Sequence, residues 1–101
     1  MIPLNYHHLF YFYTIAREGT VAKAAAALYL AQPTLSAQLK SLEKAFGRPL
    51  FAREGRRLVL NEDGHVVMRY ASEIFRLGRE LQDDLRDRPG SGAVAVQLGV
   101  V

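Results

Sequence analysis

The feature that most constrains this chain lies near its end. Val67, Tyr70, Ile74, Leu77 and Leu81 recur at spacings of three, four, three and four, and Leu85 extends the row. That is a heptad seam, narrower than the apolar stripe of an ordinary globular helix. Asn61 is placed to cap such a helix, with Glu62 and Asp63 at its positive end. A helix over 62–87 would be roughly 38 Å long at about 1.5 Å per residue, more than a domain of ~60 residues can cover. The seam therefore calls for a partner. "DRPGSG", Asp87 to Gly92, ends the helix as a linker, and "AVAVQLGVV" after it reads as a single β-strand. A lone apolar strand is not stable by itself, so the expectation is that this chain is the front of a longer protein.

The residues ahead of the seam resolve into short elements. Asn5 is suited to cap a first helix ending near Glu18, with Gly19 as its stop. Leu9, Phe12, Tyr13 and Ala16 share its expected buried stripe. Thr20 is the next cap, and "VAKAAAALYL" forms a short Ala-rich helix that permits a close helix–helix approach. Pro33 sits at the expected first position of a third helix. In it Leu35, Leu39, Leu42 and Phe46 fall on one face, and Gly47 ends it. "PLFA" and "LVL" then flank "REGRR", a two-stranded hairpin with a basic, glycine-containing tip. Three helices and a hairpin match a winged helix-turn-helix in order and spacing, so the fold class is mainly α: three helices plus a two-stranded wing, followed by a long dimerisation linker helix. The expected division is 1–61 for the winged domain, 62–87 for the linker helix and 88–101 for a hinge and first strand.

The third helix has an unusual outer face. Its first outward residues, Gln32, Pro33, Thr34, Ser36 and Ala37, are small or uncharged where surface helices normally carry Lys, Glu and Arg. At 100° per residue the apolar row clusters within about 40° of Leu35. Pro33, Ala37, Lys40, Ser41 and Lys44 fall opposite, with Thr34, Ser36 and Gln38 on the flanks. Small residues at the tip and lysines along the shank suit a helix entering the DNA major groove, about 12 Å wide, with phosphates beside it. From Gln32 to Arg57 six basic side chains face two acidic ones, a net of +4. From Glu62 to Arg88 five basic side chains face seven acidic, a net of −2. The chain's overall +3 is thus concentrated on the third helix and hairpin, a local footprint for a polyanion.

The run from Gly19 to Gly64 resembles the N-terminal DNA-binding domain of LysR-type transcriptional regulators. The matching features are Ala24-Ala25, Leu28, Gln32-Pro33, Ser36, Leu42-Glu43, Gly47, Leu50-Phe51 with Arg53, and Gly64. The opening "LNYHHLFYFYTIAREGTV" is further similar to the branch that activates sodium/proton antiporter genes. Ala31 stands where Ser is frequent, and "LNEDG" replaces the usual Leu-Thr-x-Ala-Gly.

The resemblance implies base or groove contacts from Gln32, Pro33, Thr34, Ser36 and Ala37, with Gln able to read adenine and the apolar surfaces of Pro33 and Ala37 suited to a thymine methyl. It implies that Arg53, Arg56 and Arg57 lie along phosphates or reach into the minor groove, and that Thr20 holds a phosphate with the local amides. It implies sequence-specific binding of double-stranded DNA by a homodimer with antiparallel seams, a tetramer at full length, transcription regulation in the bacterial cytoplasm, and RNA polymerase as a candidate partner. No cofactor is expected in this segment; a small-molecule or ionic effector would bind the α/β domain that follows.

The same residues admit other readings. A winged-helix module that binds only protein would use the same helices and retard no duplex DNA. His7 and His8 are adjacent and do not face one another on a helix, so no metal site is expected. The aromatic group Tyr6, Phe10, Tyr11, Phe12 and Tyr13 is expected in the core, part of it against a second subunit's linker helix. No nucleophile–base pair appears, and Glu62, Asp63 and His65 make no catalytic set, so no catalytic residues are expected. "LFYFYTIA" is too short to span a bilayer, and with no cysteine neither disulfides nor thiolate zinc sites are available.

Overall fold

The computed structural model describes residues 3–89. The expected hinge and strand from Gly90 onward lie outside the described residues. In chain order the elements are α1 (Tyr6–Glu18), α2 (Val21–Leu28), α3 (Gln32–Phe46), β1 (Phe51–Glu54), β2 (Arg57–Leu60) and α4 (Glu62–Asp87). Two compact units divide the chain, Met1–Ala71 and Ser72–Val101, so the first turns of α4 belong with the winged unit.

The helix ends follow from their caps. The Asn5 side chain accepts from the His8 amide at 3.0 Å, and the Thr20 hydroxyl accepts from the Lys23 amide at 3.1 Å. Asn61 works twice: its Oδ1 accepts from the Gly64 amide at 2.7 Å, and its Nδ2 donates to the Pro49 carbonyl at 2.9 Å. Gly19 and Gly47 close α1 and α3 in the left-handed conformation, at φ 88° and 73°. Ala31 precedes α3 without a side-chain cap, and Pro33 occupies the second helical position rather than the first, because Gln32 already has helical geometry.

α1 packs on both α2 and α3, and α2 on α3. Leu9, Phe12, Ile15, Leu35, Leu42 and Leu50 are fully buried, each contributing on the order of 2 kcal/mol. Ala24 and Ala25 are buried too, and their small side chains let α2 approach its neighbours. Three expectations need correction. On α1 the third buried position is Ile15, while Tyr13 and Ala16 are only half-buried. On α3 Phe46 is 41% exposed, because it is the last helical residue and lines an open hollow with Leu4 and His8 instead of filling the core. Of the aromatic group only Phe12 is core, its ring 5.3 Å from that of Phe51. Tyr6 and Phe10 are exposed, and Tyr13 stacks with Phe10 beneath the Arg17 guanidinium.

The hairpin register pairs Phe51 with Leu60, Ala52 with Val59, Arg53 with Leu58 and Glu54 with Arg57. Gly55, at φ 62°, and Arg56 form its two-residue turn. A positive φ at the first turn position alone is the II′ pattern, whose twist matches that of the strands. The outward Leu58 amide donates to the Gly19 carbonyl at 3.1 Å, fixing the ribbon to the α1–α2 turn.

In α4 the apolar surface is broader than the seam. Gly64, Ala71 and Phe75 are buried and Met68 and Gly78 half-buried, a row about 90° around the helix from the seam. Val67 and Ile74, between the two rows, are half-buried. Tyr70, Leu77, Leu81 and Leu85 are more than half exposed.

Candidate nucleic-acid interface

The wing and two helix starts converge. Thr20, Val21 and Ala22 from the start of α2, Gln32 and Ser36 from α3, and Arg53, Arg56 and Leu58 from the hairpin line a basin of about 410 Å³. The hairpin register explains Arg53: it shares a ribbon face with Phe51 and Leu58, so its guanidinium leaves the same side that packs on the helices. Thr20 uses its oxygen as the α2 cap, which leaves the hydroxyl proton available to an incoming anion. The first-turn amides of both helices have no partner inside their own helix, and each helix dipole favours negative charge there. Pro33 contributes no amide and fixes φ at the entry of α3.

Gln32, Pro33, Thr34, Ala37, Lys40 and Lys44 are exposed, whereas Ser36 and Gln38 are half-buried. A second hollow, of about 260 Å³, continues along α3 to Lys40, with Glu43, Pro49 and Arg53 on its walls. Arg57 stands apart from the basin. It lies on the opposite ribbon face with Glu54, and its Nη2 comes within 3.8 Å of where a Gly19 side chain would begin.

Three residues gain roles that spacing alone did not reveal. The Glu43 carboxylate accepts from the Leu50 amide at 2.7 Å, tying the shank of α3 to the entrance of the wing. Arg48, counted among the basic residues of the footprint, is paired with Asp63 at 3.2 Å and so is partly neutralised. Gly64 lies so close to the Leu50 carbonyl that a Cβ would stand 2.0 Å from its oxygen. Glycine at the first helical turn after Asn61 was the signal available in the sequence, but only the packing gives its reason.

Among the described residues no group of three or more His, Cys, Asp or Glu side chains is arranged to hold a metal ion. None of their helices is long and apolar enough to cross a membrane.

This arrangement is a winged helix-turn-helix, and residues 6–65 match the family described as bacterial regulatory helix-turn-helix protein, lysR family. The chain belongs to that family. It is similar to the transcriptional activator protein NhaR of Escherichia coli (strain K12), 42% identical over 91 residues, which are 90% of this chain and 30% of NhaR. It is also similar to the HTH-type transcriptional activator CmpR of Synechocystis sp. (strain ATCC 27184 / PCC 6803 / Kazusa), at 40% identity over 83% of this chain and 28% of CmpR. The chain thus spans about a third of the length of the regulators it matches. Among solved structures, the CbnR_DBD–DNA complex matches with a TM-score of 0.74 at 32% identity, over 81% of this chain and 94% of that one. The BenM_DBD/catB site 1 DNA complex matches with a TM-score of 0.80 at 27% identity, over 91% and 99% of the two chains.

Proposed function

We propose that this chain is the DNA-reading and dimerising segment of a transcription regulator that binds double-stranded DNA sequence-specifically. The observation that carries the reading is the basin, where two helix N-termini, Arg53 and Arg56 converge beside the exposed tip of α3. A phosphate suits that basin, because charge-assisted hydrogen bonds from guanidinium groups add to those of helix-start amides. With a phosphate held there, α3 presents Gln32, Pro33, Thr34 and Ala37 to the base edges of the adjacent major groove. Lys40 and Lys44, further along, meet the flanking backbone. Arg53 and Arg56 take the phosphate role; the position of Arg57 against the α1–α2 turn favours a structural share in holding the wing.

The exposed row Tyr70, Leu77, Leu81 and Leu85 supports pairing of two copies through α4, with the two seams antiparallel. Such a dimer presents two α3 helices to half-sites one helical turn apart, about 34 Å, or a multiple of it. The segment acts in the cytoplasm, where the bacterial chromosome lies, and without catalysis of its own. In the full-length protein a small-molecule or ionic effector binds beyond this segment, the assembly is a tetramer, and RNA polymerase is a candidate partner.

The test is selection of duplexes from a random pool, followed by fluorescence anisotropy over a salt series. The expected result is a palindromic or near-palindromic site. Affinity should fall steeply with salt, with a log–log slope of about −0.9 per phosphate engaged. No retardation of any duplex at low salt would refute the reading and favour a protein-binding winged helix instead.

A further inference from the structure

We infer that Tyr29 is a further DNA contact, its ring lying along a deoxyribose at the rim of the groove and its hydroxyl donating to a phosphate oxygen. The inference rests on the DNA-binding reading above. Tyr29 ends α2 with φ 56° and ψ 42°, and among the described residues no other non-glycine has positive φ. The chain needs that conformation there. The Leu30 amide donates to the Ala25 carbonyl at 2.9 Å and the Tyr29 amide to that of Ala26 at 3.3 Å, and only three residues separate α2 from α3.

At the corresponding ends of α1 and α3 the fold uses Gly19 and Gly47. An aromatic residue in the left-handed region is disfavoured by crowding of its Cβ against the following carbonyl. The Tyr29 side chain offsets none of this by packing inside the chain, since it is 95% exposed. Its place along the backbone supplies the external partner. Tyr29 lies three residues before Gln32, so its Cα is within roughly 11 Å of the α3 start, at about 3.8 Å per residue. That is the end of the helix aimed at the groove, whose rim is sugar and phosphate. Tyrosine suits such a rim, with a flat apolar ring for the deoxyribose and an O–H donor for the phosphate.

The experiment uses the chain as it stands and a duplex on the order of 30 base pairs, three helical turns, selected by that chain from a random pool. Tyr29→Gly relieves the backbone and is expected to raise the thermal midpoint by about 4 °C. In the same preparation it should weaken DNA binding by about tenfold, so that stability and affinity move in opposite directions. Tyr29→Phe keeps the ring and should lose about threefold. Both losses should be equal on the selected duplex and on one with its sequence shuffled, since a backbone contact carries no sequence information. Unchanged affinity of Tyr29→Gly, with the unmodified chain selecting its duplex normally, overturns this inference alone. So does a loss confined to the selected duplex. Failure of the unmodified chain to enrich any duplex overturns the DNA-binding reading and this inference with it.

Discussion

Replacing Gly64 with alanine probes the joint between the wing and α4. The new Cβ would stand 2.0 Å from the Leu50 carbonyl oxygen and 3.0 Å from Leu60 Cδ2. A relaxed carbon–oxygen contact needs about 3.3 Å, so the helix start and the Leu50 peptide must part by about 1.3 Å. Leu50 is 1% exposed, and its carbonyl also accepts from the Asn61 amide at 3.1 Å. Separation therefore strains a buried leucine and a backbone hydrogen bond together. The overpacking costs about 2–3 kcal/mol and the weakened bond about 1 kcal/mol. Alanine's better helix propensity offsets about 1 kcal/mol of this. The net is a loss of about 2–3 kcal/mol, or on the order of 10–20 °C in thermal midpoint for a domain this small. Urea unfolding of Gly64→Ala, monitored by circular dichroism at equal protein concentration, measures it. Gly47→Ala is the control: its Cβ would meet nothing within 4 Å, so only the φ of 73° penalises it, by about 1 kcal/mol. If Gly64→Ala were as stable as the parent, or lost no more than the control, the close approach would not be what fixes glycine there.

The remaining predictions concern the interface and the seam. Arg53→Ala should weaken binding to all duplexes alike and lower the salt slope by about one phosphate, whereas Gln32→Ala should lose about 1–3 kcal/mol of discrimination at particular base pairs. Anisotropy titrations on the selected site and its point variants separate the two, and exchanged outcomes would reverse the roles given to them. Leu77→Glu with Leu81→Glu places charge in the seam and should yield monomers by sedimentation equilibrium without unfolding the winged unit; a persistent dimer would rule out the seam as the interface. Glu73, hydrogen-bonded to Arg76 and within its field, has its carboxyl held below the ordinary glutamate range. Because its folded pKa is depressed, the support this pair gives α4 is present above the unfolded glutamate pKa and is lost as pH falls through the lower folded value. An NMR carboxyl titration should therefore show a midpoint below that of a model glutamate, restored in Arg76→Gln, and an unshifted midpoint would contradict the pairing.

Much of this architecture is legible in the residues because caps and stops are local chemistry. Asn5, Thr20 and Asn61 each accept a hydrogen bond from the first turn of the helix they precede, as their short polar side chains require. The Gly55 tip forces a tight hairpin turn, and the three leucines of α3 could only face inward. What depends on contacts between distant segments was not legible. The bond from Leu50 to Glu43, the pairing of Arg48 with Asp63, and the burial of Ala71 all arise from tertiary placement. Periodicity does not separate Tyr13 from Ile15, because helical spacing from Leu9 and Phe12 allows either, and only the position of the neighbouring helices selects between them. The candidate site shows the same division. Its residue types were visible, but the separation of Arg53 from Arg57 required the strand register.

The bond from the Leu58 amide to the Gly19 carbonyl has one more consequence. A two-stranded ribbon has two open margins, and each unpaired amide along them invites a strand from another molecule. By turning the α1–α2 corner into a cover for β2, the fold removes a donor from that margin midway along the strand. Association of the winged unit through that margin of its ribbon is thereby discouraged.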